Sequence, residues 1–194
     1  MQIAKIVSSN SHIDYIARVI DALDVENPPT FDDYGFGQFV TVEPDGESIV
    51  GVIYDSKLIN PEYASYGPRL SPKPALGAFS PDYINEQGVL IGILLLGTMG
   101  AGAAHGVPRR IVPPGQDVSR MDESSIARFH TGADGSLHLH YYSQIITHAG
   151  NYAVPLLESI IDRLSVNSSP TDRQRLSILK QTLAWQRTFG GMKL

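Results

Sequence analysis

Apolar and polar residues alternate along the first part of the chain, which is typical of β-strands with one buried face. The near-alternation over residues 3–9 and 12–20 predicts two strands. The polar pair Ser9-Asn10 between them suits a tight turn. The chain therefore begins with two strands that can pair with each other.

A second pair of strands is predicted at residues 38–43 and 48–55. Asp45-Gly46 lies between them, and this residue pair favours the positive φ angles of a short hairpin turn. The proline-rich segment that follows, residues 60–77, is predicted to be irregular.

Residues 88–107 carry no charged side chain and many glycines, and three interpretations are open. A membrane span needs about 20 predominantly apolar residues, but the strongly apolar part covers only the first half of this stretch. A dinucleotide site would need a helix after Gly100-x-Gly102, and Pro108 prevents a helix of useful length. We therefore predict a buried strand over residues 89–97, followed by a glycine-rich loop.

The later part of the chain has helical character. Residues 122–130 predict a short helix with acids at its start and a histidine at its end, and residues 135–142 alternate as in a strand. From Ser143 onward the apolar spacing lengthens to that of a helix, with a break near Gly150. The apolar stripe consists of Ile145, Ile146, Ala149, Tyr152, Ala153, Leu156, Leu157, Ile160, Ile161 and Leu164.

A last helix is predicted to begin with Ser169 as its N-cap and Pro170 at its first position. Gly190-Gly191 is predicted to end this helix. Its apolar face is formed by Leu176, Leu179 and Leu183.

Because the strands come first and the helices follow, the order favours a mainly β, α+β protein with a helical appendage rather than a parallel βαβ sheet. A length of 194 residues suits one main domain with such an appendage.

The composition excludes several kinds of site. The chain has no cysteine, which removes disulfides, thiolate zinc sites and thiol nucleophiles together. The first 20 residues lack the continuous apolar region of a signal peptide. We expect a cytoplasmic protein with no membrane span.

Charge is unevenly distributed, although the net charge is only −5. Residues 1–60, the acidic front, contain 10 acids and 3 bases, whereas residues 163–194, the basic tail, contain 6 bases and 1 acid. These two regions could meet within one molecule, between subunits, or through a nucleic-acid partner.

Several segments resemble, in their order along the chain, the HAS-barrel domain. This small closed β-barrel is shared by HerA-type DNA-translocating ATPases, NurA-type nucleases and the N-terminal domains of rotary ATP synthase subunits. The segments that carry the resemblance are residues 3–9, 37–43, 48–55, 88–97 and 112–118.

The resemblance implies a closed barrel over residues 1–120, which mediates ring assembly or docking to a partner. We expect residues 121–142 to form a helix and a strand packed on the barrel, and residues 143–194 to form a C-terminal helical hairpin. Glycines at positions 37, 51 and 92 are expected where a curved sheet bends or bulges. No P-loop motif is present, so the ATPase activity of the family is not carried over.

Three histidines offer an alternative function. On a strand, His138 and His140 would project to the same face, and with His130 they could form an open zinc site. The alternative is then a small metal-dependent hydrolase. No G-x-S-x-G motif marks a serine nucleophile.

Five bases are candidates for contacts with a partner. Arg109 and Arg110 follow the glycine-rich stretch and could contact an anion or an acidic partner. Arg173, Arg175 and Lys180 lie near one side of the predicted last helix and could contact nucleic acid or the acidic front of a neighbouring copy.

The sequence thus predicts a non-enzymatic oligomerisation or docking module with no bound cofactor, metal or catalytic residues. Its expected partners are further copies of itself, a HerA-like ATPase or a nuclease of a DNA-processing complex. Nucleic acid is expected to be contacted only indirectly.

Overall fold

A computed structural model describes residues 1–59 and 88–189, with side chains described up to residue 185. The predicted irregular segment 60–77 and the predicted helix end at Gly190-Gly191 lie outside the described residues.

The described chain is a mixed α+β structure in which the strands precede the helices, as the sequence predicts. Seven strands form one sheet: β1 (Gln2–Ser9), β2 (Asp14–Val19), β3 (Phe39–Val42), β4 (Ser48–Ile59), β5 (Gly88–Met99), β6 (Ala103–His105) and β7 (Asp117–Arg120). Four α-helices follow: α1 (Glu123–His130), α2 (Tyr142–His148), α3 (Ala153–Val166) and α4 (Pro170–Phe189).

The sheet is antiparallel throughout, with the strand order β2-β1-β7-β3-β4-β5-β6. One pairing departs from a simple linear order, because β2 is hydrogen-bonded to β5 as well as to β1. In the β2–β5 pairing, Ala17 lies opposite Ile91. The antiparallel pairing excludes a parallel βαβ architecture, in agreement with the prediction.

The predicted hairpin joins β3 to β4. Val42 lies opposite Ile49, so the two strands separate at the predicted turn. Asp45 has a φ of 52° and Gly46 a φ of 80°. Both residues therefore adopt the left-handed conformation that this residue pair favours.

Two of the predicted bend glycines lie where β4 and β5 change register. Gly51 is at the shift between Val50 and Gly51, and Gly92 lies opposite Asp55 at the second shift. A Cβ on Gly51 would come within 2.7 Å of the side chain of Ile93. The third, Gly37, is not in a strand but packs against Ser159 of α3 with a φ of 79°.

The glycine-rich loop predicted after β5 is instead a hairpin that joins β5 to β6, which corrects that prediction. The N–H of Gly100 donates to the carbonyl of Gly102, and β6 then turns back along β5 with His105 opposite Gly97. The strands approach closely because Gly97 has no side chain: a Cβ there would lie 2.2 Å from the carbonyl oxygen of Ala104.

The strand predicted at residues 135–142 is not formed, which corrects the prediction for residues 121–142. Only an isolated bridge joins Thr131 to Leu137. The backbone amides that a strand would use are occupied by side chains: Ser136 N–H donates to Asp134, and His140 N–H donates to His105. The alternating pattern therefore belongs to a loop fixed by polar side chains.

The helix boundaries follow the capping residues. Asp122 caps α1 by accepting the Ser125 N–H at 2.7 Å, and Ser169 caps α4 by accepting the Asp172 N–H at 3.1 Å. Gly150, with a φ of 53°, marks the predicted break between α2 and α3.

Side chains of the sheet and of the helices form a single buried cluster. From β5 it includes Leu94 and Leu96, from α3 Leu156 and Leu157, and from α4 Leu183, all fully buried. The helical part of the chain is thus held on the sheet by the burial of its apolar stripe. No helix in the described ranges is both long enough and apolar enough to cross a membrane.

The close approach at Gly97 makes a stability prediction. We expect Gly97→Ala to lower the free energy of unfolding by about 2 kcal/mol or more, because β6 must move away from β5 to admit the methyl group. Denaturant unfolding monitored by circular dichroism measures this loss. Gly100→Ala is the matched control, because a Cβ there meets no atom within 4 Å. Equal losses in the two variants would contradict the prediction.

Candidate functional site

The predicted arginine pair lies at the edge of an open cavity of about 380 Å³ beside the β5–β6 hairpin. Both side chains are exposed, and Arg110 Nε lies 3.0 Å from Glu47 Oε2. The carboxylate partly neutralises Arg110, so the cavity has no strongly positive surface for an anion. Arg109 remains the more accessible base of the pair.

The bases of the tail are paired mainly within the second half of the chain. Lys180 pairs with Asp162, Arg163 with Glu123, and Arg175 lies 3.7 Å from Asp172. Arg173 donates to the backbone carbonyl of Ser168 at 3.0 Å.

The acids of the front also have nearby partners. Arg18 pairs with Asp24 at 3.0 Å, and Arg120 pairs with Asp33 at 2.6 Å. Two hydrogen bonds from Thr30, together with Arg120, hold the pKa of Asp33 below its usual value. The Arg18–Asp24 pair lies within the front and the Arg175–Asp172 pair within the tail. The pairs of Arg120, Arg163 and Lys180 join the front or the tail to residues 61–162.

His130 is buried, with 1% of its surface exposed, at the end of α1. Its Nδ1–H donates to the carbonyl of Ile126 at 2.7 Å, and its Nε2 accepts the hydroxyl proton of Tyr141 at 2.6 Å. Burial lowers the pKa of His130 to about 4 and raises that of Tyr141. His130 is therefore neutral, and both of its ring nitrogens are occupied.

His138 and His140 lie nearby but do not combine with His130. Their rings stack with centroids 4.6 Å apart, and His105 lies 5.7 Å from His140 and 5.8 Å from His130. Both nitrogens of His105 are also used, since Nε2–H donates to Phe129 and Nδ1 accepts the His140 N–H. Burial lowers the pKa of His105 as well.

The three-histidine zinc site is consequently not formed in this structure. In the part of the chain that the structure describes, no three histidine, aspartate or glutamate side chains are placed to hold a metal ion. The alternative of a three-histidine site is not supported by this geometry, because the 135–142 segment is a loop rather than a strand and because α1 buries His130 against Tyr141.

A serine, a carboxylate and an imidazole do meet in the loop after α1. Ser136 Oγ–H donates to Asp134, and His138 Nε2–H donates to Ser136 Oγ at 2.7 Å. In a catalytic triad the carboxylate orients the imidazole, which then accepts the proton of the serine. Here the carboxylate of Asp134 accepts the hydrogen bond of the serine hydroxyl directly, and the imidazole donates to the serine. The arrangement therefore closes a turn and does not activate a nucleophile.

A feature that the sequence did not predict is an aromatic groove with a volume of about 360 Å³. We use this name for the surface around Phe31, Phe36, Leu58 and Tyr152. The rings of Phe36 and Tyr152 meet edge to face at 6.0 Å. The sequence contained one indication of this groove, the apolar Phe31 and Phe36 among the acids between β2 and β3. The groove also needs Tyr152, from the segment that leads into α3, which is distant in the sequence.

Fold and site together define an α+β protein whose antiparallel sheet carries C-terminal helices and an exposed aromatic groove. Over residues 1–193 the chain matches the family described as Domain of unknown function (DUF8166), and it belongs to that family. A search of curated proteins gives no match.

The buried state of His130 makes a prediction about pH. An unfolded histidine has a pKa of about 6.5, whereas that of folded His130 is about 4. Because the unfolded chain takes up this proton first, the free energy of unfolding falls as the pH drops from about 6.5 to 4, by up to about 3 kcal/mol.

Replacing His130 by Gln removes this proton uptake, so His130→Gln should show a shallower loss of stability than wild type between pH 6.5 and pH 4. Urea unfolding at a series of pH values measures both slopes. His148→Gln, at an exposed position, serves as the control and should keep the wild-type slope. An unchanged slope in His130→Gln would show that other groups cause the acid sensitivity.

Proposed function

We propose that this chain is a non-enzymatic assembly or docking module built on a small closed β-barrel of the HAS type. The observation that carries the proposal is the double pairing of β2. Six strands form the circuit β2-β1-β7-β3-β4-β5 and back to β2, in which each strand is paired with its two neighbours; β5 is also paired with β6. Such a circuit closes a sheet into a barrel without a free edge on these six strands.

The content of these strands supports assembly rather than chemistry. Their buried side chains are aliphatic or aromatic, as the tightly packed Val50, Ile93 and Val118 illustrate. A small barrel filled in this way has no internal chamber for a substrate. Contacts with partners are then made by the outer surface, where side chains project.

The partners that we propose are further copies of this chain, or an ATPase or nuclease of the kinds that carry HAS barrels. The uneven charge supports contacts between molecules, because an acidic front and a basic tail on the same chain attract each other between copies. Nucleic acid is reached only through such a partner. The identity of the ATPase or nuclease rests on the resemblance alone.

The closure of the barrel can be tested with engineered cysteines, since the natural chain contains none. Arg18 and Leu90 lie opposite each other across β2 and β5. Arg18→Cys with Leu90→Cys should form an intramolecular disulfide on oxidation, measured by the mass of the intact chain and by peptide mapping.

The matched control pairs Lys5→Cys with Leu90→Cys. Lys5 lies opposite Arg18 on β1, so it is separated from Leu90 by the whole of β2 and is beyond the reach of a disulfide. Failure of the Arg18–Leu90 pair, or equal cross-linking of the control, would argue against a closed barrel.

The assembly function is tested by light scattering and by affinity purification from the native cell. We expect either a mass that is a multiple of the 21.1 kDa chain, or the co-purification of an ATPase or nuclease above a tag-only control. A monomer at all concentrations that also enriches neither enzyme would overturn the proposed function.

A further inference from the structure

The aromatic groove exposes large apolar side chains that the fold itself does not require. Phe31 is 80% exposed and Leu58 is 83% exposed, and Phe36 and Tyr152 are each about half exposed. These side chains come from separate elements but surround one cavity. Clustered apolar exposure of this kind marks a site for another macromolecule.

The charge around the groove is negative. Asp55 lines the cavity, and Asp32 lies next to Phe31 in a short 3₁₀ turn. Within the described ranges, neither carboxylate forms an ion pair, whereas Asp33 between them in sequence is held by Arg120. A partner for this groove therefore needs an apolar surface flanked by basic side chains.

The outer face of α4 has these two properties. The inner face of α4 packs on the core through Leu176 and Leu183, and this leaves Ile178 on the opposite side, 59% exposed. Trp185 lies two turns further along the same face and is 64% exposed. Arg175, one turn before Ile178, has a side chain that is 67% exposed.

The charge of α4 as a whole complements the groove. The helix contains four bases and one acid, a net charge of +3, in a protein whose total charge is negative. Arg175 interacts with Asp172 only at 3.7 Å, so it can turn toward a carboxylate of another molecule. A helix that offers apolar side chains at positions i and i+7 is suited to a hydrophobic groove.

We propose that the outer face of α4 from a second copy of this chain docks in the aromatic groove. Ile178 and Trp185 then contact Phe31, Leu58 and the ring pair, and Arg175 approaches Asp55 or Asp32. This inference rests on the proposed assembly function and names the surface that carries it. The occupant of the groove is the α4 of another copy. The chain's own α4 is fixed in place, because its inner face packs on its own α3 and core.

The contact joins two different surfaces of the same protein. If two copies exchange their helices reciprocally, the result is a two-fold, isologous dimer; if the contact runs head to tail, it is heterologous and continues until a ring closes or a filament forms. Each copy therefore contributes one groove and one helix.

The test uses the full chain and measures mass by light scattering over a concentration series. Phe31→Ser with Leu58→Ser removes the apolar walls of the groove at two highly exposed positions, so folding is preserved. Ile178→Glu changes the docking face of the helix. We expect each of the two variants to weaken self-association at least about tenfold and to approach 21.1 kDa. Ile111→Ser, at a 69% exposed position that belongs neither to the groove lining nor to α4, should assemble as wild type.

Mixing the two variants makes the test specific. The groove variant retains an intact α4 and the helix variant retains an intact groove, so one complete contact forms between them. The mixture should give a species of about twice the chain mass that neither variant forms alone. Circular dichroism of each variant confirms that it is folded.

The outcomes separate this inference from the proposed function. If wild type assembles but the variants assemble equally well, or if their mixture stays monomeric, the α4-in-groove contact is wrong and assembly uses another surface. If wild type is monomeric at all concentrations but co-purifies with an ATPase or nuclease, the inference also fails, and the docking function stands.

Discussion

The pairing of β5 with both β4 and β2 is the constraint on which the rest of the structure depends. β5 contacts β4 along almost its whole length and β2 over five residue pairs, so it joins the first hairpin of the chain to the second. Both of its faces are buried over Leu94–Leu96, which explains why this stretch is a continuous apolar run without alternation. Glycines at the register shifts let the strand bend around its neighbours.

The helices depend on the same strand for their position. α2 lies against β5, where Gln144 donates to the carbonyl of Leu95 at 3.3 Å, and the apolar stripe of α3 is buried in the same core. β6 turns back along β5 and brings His105 against Phe129 of α1. Burial lowers the pKa of both His105 and His130, so these two imidazoles act as neutral hydrogen-bonding groups within the fold.

In the closed barrel that we propose, the paired strand edges would leave little backbone for a partner to bind, and recognition would fall to side chains on the outer surface. The chain concentrates acids near its beginning and bases near its end, and it places exposed aromatic residues among the acids. The isolated ion pairs that these charges form on the surface contribute little to stability individually. In the assembly function that we propose, their uneven distribution would act between molecules, where opposite charges set orientation and rate.

The sequence by itself determined the elements whose cause is local. The period of two in the first strands, the turn at Asp45-Gly46 and the cap at Ser169 each follow from a few neighbouring residues, and each is found in the structure. Tertiary structure alone decided the path of residues 135–142, because the amides that alternation had assigned to a strand donate instead to the side chains of Asp134 and His105. It also decided the aromatic groove and the pairing of β2 with β5, since these unite residues that are distant in the chain and have no common sequence pattern.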